Sequence, residues 1–351
     1  MPNKYTGEGQ ATKVAREACA EFPDTPSRTL ARMLCEKRPK LFPKLEAARC
    51  AVRNIRGNHG AKNRKLIKDK TSYRANGKAG MVTMPEPVVE TWEPLRVDGP
   101  ARVGVLSDIH VPYHSAEALG VAVKELRRQK CDVILLNGDT LDFYGISRFE
   151  KDPERRTATE EVRLAVQLMR WLRQQFPKAR MIWRDGNHED RWAKFCWSNA
   201  PVLWSLKQCR LEGVLGNEYA EQTDNESTKL ARYGWEYLTD KRPILAGELP
   251  ILHGHEISVS SASVSAARGA WLKASHTIMI GHLHSSSSHP QPDMWHNEIF
   301  TWSVGALCGL TPRYAPVNRW NWGFGIVDVN QGGEFDVRNM RISKDFKIRT
   351  S

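Results

Sequence analysis

The chain has 351 residues, 40% hydrophobic and 26% charged, a balance ordinary for a globular protein large enough to bury a sizeable core. No run of about 18 apolar residues occurs, which argues against a membrane-spanning helix, and the opening Met1-Pro2-Asn3-Lys4-Tyr5-Thr6 lacks the apolar stretch of a secretory signal. The net charge of +12 falls entirely within the first eighty residues, where ten Lys and nine Arg face five Glu and two Asp; the remainder is balanced. A basic segment joined to a neutral body points to a polyanion held by the extension.

Residues 1–70 read as a small basic helical domain. Helical patterns run over 11–22, 28–36 and 44–56, with Pro39 and Pro43 breaking the chain between the second and third. Leu30 and Leu34, with Ala31 beside them, give the second helix its buried face. Leu45, Ala48, Val52 and Ile55 give the third an apolar stripe. Arg49, Arg53 and Arg56 fall on the neighbouring face. Two short helices with a tight connection, the second bearing an arginine stripe, resemble a helix-turn-helix module whose stripe would lie along phosphates. The alternative is a solvated basic helix that only packs on the rest of the protein. Basic residues continue through Lys62, Arg64 and Lys65, which favours a nucleic-acid partner, DNA over RNA. Aromatic interleaving is sparse, so stacking on single-stranded bases is not indicated within this segment.

Residues 71–99 hold Gly77, Gly80, Pro85, Pro87, Pro94 and Gly99 and read as a linker. From residue 100 to 351 strands and helices alternate: strands over 102–107, 132–137 and 179–184, helices over 115–129, 157–176 and 190–207. That order predicts an α/β core of mostly parallel strands under covering helices. Residues 216–228 read as a polar insertion or surface loop. Further strands are expected over 249–253, 276–281, 295–304, 322–329 and 334–344.

Five of the apolar runs end in residues of one chemical kind. Val103 to Ser107 runs into Asp108-Ile109-His110. Val133 to Asn137 runs into Gly138-Asp139, with Asp142 following. Ala179 to Trp183 leads to Gly186-Asn187-His188-Glu189. Pro250 to Leu252 leads to His253-Gly254-His255, and Thr277 to Ile280 to Gly281-His282-Leu283-His284. Carboxylate, amide and imidazole donors without Cys suit Mn, Fe, Zn or Ni. There are more donors than one ion needs, and two ions about 3.5 Å apart would use them all.

The ordered set Asp-x-His, Gly-Asp-x-x-Asp, Gly-Asn-His-Glu, His-Gly-His and Gly-His-x-His resembles the calcineurin-like metallophosphoesterases over roughly residues 100–345. Ser303-Val304-Gly305-Ala306-Leu307-Cys308 and Trp320-Asn321-Trp322-Gly323-Phe324 are most similar to phage-borne members that carry a basic N-terminal extension. The resemblance implies a metallophosphoesterase-type α/β-β-α sandwich behind the small helical domain. It implies two divalent ions, Mn above Fe, Zn or Ni. Asp108, His110, Asp139 and His284 would hold the first and Asp139, Asn187, His253 and His282 the second, Asp139 bridging. His188 would contact the phosphate and protonate the leaving oxygen. Asp142 either orients a ligand imidazole or is a turn residue; His255 touches substrate or only supports the ligands, and His114 touches substrate or is a surface-loop residue. Trp302, Trp320 and Trp322 are candidates to line the groove.

The implied activity is hydrolysis of phosphodiester bonds, with nucleic acid the favoured substrate. A small-substrate phosphatase or nucleotide phosphodiesterase is the alternative. The odd count of seven scattered Cys without Cys-x-x-Cys suggests reduced thiols in a cytoplasm, the host's if the chain is phage-encoded. No membrane partner is expected, and the sequence is silent on oligomeric state.

Overall fold

The computed structural model describes residues 9–57, 88, 93–148, 157–239, 241–259 and 265–350. They fall into two compact units, Met1–Glu90 and Thr91–Ser351. No helix among the described residues is long and apolar enough to cross a membrane.

In the first unit three helices, α1 (Gln10–Glu21), α2 (Ser27–Lys37) and α3 (Leu45–Ile55), enclose a small core. Leu30, Ala31, Leu34, Ala48, Val52 and Ile55 are buried as the periodicity predicts, with Ala15, Cys19 and Phe42 joining them. Leu45, at the helix start, is 36% exposed instead. The connection from α2 to α3 spans 38–44 and carries both prolines, so it is longer than the three- or four-residue turn of a helix-turn-helix. Arg56 also departs from the expected exposed stripe, because it is fully buried. Its guanidinium donates to Phe22 O at 2.9 Å, Thr25 O at 2.6 Å and Ser27 Oγ at 3.2 Å, tying the end of α3 to the α1–α2 turn. Arg49 and Arg53 stay half-exposed, Arg49 pairing with Glu46 at 3.2 Å. Lys62, Arg64 and Lys65 lie outside the described residues.

The second unit is a mixed α/β fold built on two sheets. The first sheet has seven strands. Its parallel part is β2 (Ala101–Leu106), β3 (Val133–Asn137), β4 (Arg180–Arg184) and β5 (Trp235–Leu238), joined by crossovers that include α4 (Ala116–Arg128), α5 (Ala158–Gln175), α6 (Asp190–Asn199) and α7 (Leu211–Glu221). Antiparallel β11 (Trp322–Val329), β12 (Phe335–Ile342) and β13 (Ile348–Thr350) extend it beyond β2. The second sheet has six strands, in the order β1 (Leu95–Val97), β6 (Ile244–Ala246), β7 (Leu249–Ile251), β8 (Ile278–Ile280), β10 (Glu298–Ser303), β9 (Ser287–Pro292). Helix α8 (Ala266–Ala274) has Ala270 in a small apolar cluster with Ile278 and Ile280 of β8.

Packing explains the order of layers. Val103, Val105, Leu135 and Ile182 point inward from the first sheet and meet Ile251, Met279 and Val304 of the second. On the other face of the first sheet, Ile134, Leu136, Met181 and Trp183 pack under Ala122, Leu126, Val166 and Met169 of α4 and α5. Both faces of β3 are therefore apolar, and all five of its residues are buried, as expected for an interior parallel strand.

Four stretches differ from the sequence reading. Helix α6 stops at Asn199, because Pro201 cannot donate a helical hydrogen bond, and the chain continues in short 3₁₀ turns. Residues 216–221 of the expected 216–228 loop are the second half of α7, whose Leu211, Leu215 and Tyr219 are buried despite the polar residues around them. The expected linker 71–99 lies largely outside the described residues, but its end forms β1, paired with β6. The Ser-, His- and Pro-containing β9 has little apolar pattern and pairs antiparallel with β10.

Candidate metal centre

The crossover topology brings the carboxyl ends of β2, β3 and β4 to one edge of the first sheet, where ligands collect in open α/β sheets. The ends of β7 and β8 meet them there from the second sheet. Asn137 joins the two sheets: its Nδ2 donates to Leu252 O at 2.9 Å, and its carbonyl accepts from His253 Nδ1 at 2.7 Å.

At this edge the backbone is held in an unusual shape. Asp108, His110, Asp139, His282 and His284 all have positive φ, between 51° and 65°. For residues with a Cβ this costs about 1–3 kcal/mol each and persists where the surroundings enforce it. The glycines of the motifs provide the room. A Cβ on Gly186 would lie 2.2 Å from Asp139 Oδ1, and one on Gly138, itself at φ 84°, would lie 2.5 Å from His253 Nδ1.

Four groups of donors lie close together among the described residues, and two of them contain Asp139. Asp108, His110, Asp139 and His284 form one, and Asp139, His253 and His282 the other, with donor atoms in each within 4.8 Å of one another. Asp139 is common to both. His284 Nε2 lies 3.1 Å from Asp108 Oδ1 and 3.2 Å from His110 Nε2; His253 Nε2 lies 3.2 Å from Asp139 Oδ2. Asn187 Oδ1 and His282 Nδ1 are buried without a hydrogen-bond partner, and Asp108 Oδ1 and His253 Nε2 meet His284 and Asp139 within the cluster itself. Lone-pair atoms that converge yet lack donors are what a ligand set for cations requires, and His, carboxylate and amide donors fit divalent transition ions.

The electrostatics carry the same imprint. Burial alone would raise Asp108, but the His284 imidazole beside it brings its pKa down to about 2. Burial would likewise lower His253, and the Asp139 carboxylate instead raises it to about 10. Burial also opposes ionisation of Asp139, yet the imidazoles of His253 and His188 hold it well below the usual carboxylate range. Carboxylates and imidazoles thus shift one another in opposite directions, and bound cations would compete with protons for the same atoms.

The second layer fixes which ring nitrogens face inward. His110 Nδ1 meets Asp142 Oδ1 at 3.1 Å, leaving Nε2 for the cluster. Asp142 thus stands within hydrogen-bond reach of the His110 imidazole, its acidity strengthened against burial by His110 and His188. His188 donates from Nδ1 to Asp142 O at 2.7 Å, so its Nε2 turns toward the cluster, 3.8 Å from Asp139 Oδ2. His255 stands outside both groups, its ring 5.4 Å from that of His253, and burial lowers its pKa to about 4. His114 is paired through its backbone with Cys308 and lines a cleft beside His110. Trp320 lies against His284 with ring centroids 4.2 Å apart. Trp302 packs on Phe300 and Trp322 on Phe346, both as structural aromatics.

Several contributors escape sequence inspection. Glu189 accepts from the backbone N–H groups of Asp139, Thr140, Leu141 and Gly186 at 2.8–3.0 Å, clamping the β3 and β4 loops together. Arg184 pairs with buried Glu256, which accepts from the N–H groups of His253 and Gly254 and so fixes the β7 loop. Arg191 donates to His188 Nε2 at 2.9 Å and to Asp142 O at 2.7 Å. Cys308 Sγ lies 4.0 Å from His284 Nδ1 and within 4.8 Å of a ring nitrogen of His110. Glu189 had a signal as the last residue of Gly-Asn-His-Glu, and Cys308 as the last of Ser303 to Cys308; Arg184, Glu256 and Arg191 had none.

The family model for calcineurin-like phosphoesterases matches residues 101–300, more than half of the chain and all of the site's donor residues. The chain belongs to the calcineurin-like phosphoesterase family. Members of this family are metal-dependent phosphoesterases, and the phosphoesterase described here has a His and Asp cluster that could bind the metal. Solved structures similar to it include a single mutant of Vps29 from Entamoeba histolytica, 13% identical, covering 71% of this chain and 98% of that one with a TM-score of 0.37. Vps29 from Cryptosporidium parvum is 12% identical, covering 72% and 95%, with a TM-score of 0.38. Yfce, a phosphoesterase from E. coli, is 12% identical, covering 71% and 98%, with a TM-score of 0.31. No curated protein matches the sequence.

Proposed function

We propose that this phosphoesterase hydrolyses phosphodiester bonds of nucleic acid, using two divalent ions, Mn above Fe, Zn or Ni. One ion would be held by Asp108, His110, Asp139 and His284 and the other by Asp139, Asn187, His253 and His282. The observation that carries the reaction is Asp139, one carboxylate common to both donor groups. Two such ions supply counter-charge for phosphoryl oxygens and lower the pKa of an attacking water.

The protein's own residues do the rest. Asp142 and the Asn137 carbonyl hold His110 and His253 in the tautomers that present Nε2 to the site. Asn187 offers a neutral oxygen and so adds no negative charge against the incoming phosphate. His188, anchored through Nδ1, carries the proton for the leaving oxygen on Nε2. In the free protein Arg191 donates to that same nitrogen. A phosphoryl oxygen is the better acceptor for a guanidinium. Substrate would therefore draw Arg191 onto itself, and the freed Nε2 would take up a proton from solvent and pass it to the leaving oxygen.

Nucleic acid is favoured over a small ester by the charge, since the surplus of +12 falls before residue 81 while the catalytic unit is balanced. Arg49 and Arg53, with Lys62, Arg64 and Lys65, are the proposed phosphate contacts, on DNA above RNA. The free state of all seven cysteines suits a reducing cytoplasm. The alternative, a small-substrate phosphatase or nucleotide phosphodiesterase, is favoured by the modest size of the cleft beside His110, about 340 Å³. One panel on Mn-loaded protein separates the readings: a bis-aryl phosphodiester, a phosphate monoester, duplex DNA, single-stranded DNA and RNA. Turnover of the polymers supports the nuclease reading; turnover confined to the small esters replaces it.

A further inference from the structure

Two unlike clefts reach residues of the metal cluster. Asn187, Arg191, Lys194 and Phe195 line one of about 730 Å³ with a cationic wall. His110, Asp142, Tyr314 and Trp320 line another of about 340 Å³, within the usual range of about 300–1,000 Å³ for small-molecule sites. Both touch candidate site residues, so a ligand whose phosphate sits on the cluster can reach into either.

Tyr314 and Trp320 are unlike the other C-terminal aromatics. Tyr314 is 64% exposed, and its ring meets Trp320 edge-on with centroids 6.2 Å apart. Trp320 is half-buried between this ring and that of His284. The loop carrying them is pinned. Asn318 Nδ2 donates to Leu310 O and Ala315 O, Asn318 Oδ1 accepts from Trp320 N, and Asn321 N donates to His284 O at 2.9 Å. A solvent-facing aromatic corner held by hydrogen bonds beside the candidate metal centre has no role in the core.

We propose that Trp320 and Tyr314 form a stacking subsite for the base of the nucleotide whose phosphate occupies the cluster, while the Arg191 and Lys194 wall receives the rest of the polyanion. This deepens the nucleic-acid reading above and rests on it. Every base has a π-face, so the subsite binds nucleosides as a class without selecting sequence.

The test compares two esters that share a leaving group, thymidine 5′-(4-nitrophenyl) phosphate and methyl 4-nitrophenyl phosphate, on Mn-loaded full-length protein. The parent prefers the thymidine ester. Trp320→Leu lowers the thymidine-to-methyl ratio of kcat/KM by about 5- to 100-fold, the worth of one stacked base, and Tyr314→Ala lowers it by less. A ratio near one in the parent, or an unchanged ratio in both variants, overturns the subsite. Calorimetric binding of thymidine 5′-monophosphate against methyl phosphate gives a second readout that needs no turnover. If neither ester is hydrolysed, the phosphodiesterase reading fails. The subsite still stands if Tyr314→Ala weakens the nucleotide selectively, and falls if both ligands bind it as they bind the parent.

Discussion

The metal centre and the N-terminal helical unit both bury charge, and they treat it in opposite ways. At the centre, carboxylates and imidazoles crowd together with atoms such as Asn187 Oδ1 and His282 Nδ1 left without hydrogen bonds. In the helical unit the buried charge of Arg56 spends both terminal nitrogens on carbonyl and hydroxyl oxygens of the α1–α2 turn. Converging unsatisfied donor atoms mark a place built for a ligand; a guanidinium capped by backbone carbonyls marks a structural staple. The arginines that remain for a polyanion are the half-exposed ones, Arg49 and Arg53.

The contrast breaks first at Asp139. Asp139→Asn should lower kcat/KM on a phosphodiester on the order of 10³-fold or more, since it weakens the ligand set of both proposed ions at once. Circular dichroism and metal content measured together must show a folded protein; full activity in a correctly metallated variant would remove the two-ion mechanism.

His188→Gln should cost about 10²-fold or more on esters with poor leaving groups and far less on nitrophenyl esters, which leave without protonation. Equal losses on both would make His188 a ligand or positioning residue. Asp142→Asn should weaken metal binding by about 10- to 100-fold, because His110 loses the carboxylate that orients it. Calorimetric metal titration checks this, and unchanged affinity would reduce Asp142 to a turn residue.

The other half of the contrast is sharpened in the helical unit. Arg56→Ala should destabilise that unit by about 2–3 kcal/mol, because buried carbonyls lose a charged donor. Hydrogen exchange across residues 10–55 of the full chain reads the loss; unchanged protection would show that Arg56 is dispensable to the unit. Arg49→Ala with Arg53→Ala should instead leave stability within about 0.5 kcal/mol. It should flatten the salt dependence of duplex binding by about 0.9 per phosphate contact removed. Deleting residues 1–80 should flatten it further while sparing hydrolysis of a small aryl phosphodiester. A truncated protein with the parent's salt slope would move the small-substrate reading ahead.

The strand ends were readable because each motif couples an apolar run to a polar residue at a fixed place, Leu106 to Asp108 or Ile280 to His282. The fate of Arg56 was not. Periodicity gives the face of a helix, but the last turn of α3 meets the α1–α2 turn, and only that encounter decides that its final arginine turns inward. For the same reason α7 was hidden: Leu211, Leu215 and Tyr219 find their partners in α5 and the first sheet, beyond the reach of a local window.

Sequence alone determined the donor types, their order, the alternation of strands and helices, and the segregation of charge into the first eighty residues, all of which are local chemistry. Tertiary structure decided that Glu189 clamps the β3 and β4 loops, that Arg191 rests on His188, and that Tyr314 stands with Trp320 beside the cluster. Each of those depends on residues far apart in the chain meeting at one edge of two packed sheets, where burial strips away water and leaves the side chains only one another as partners.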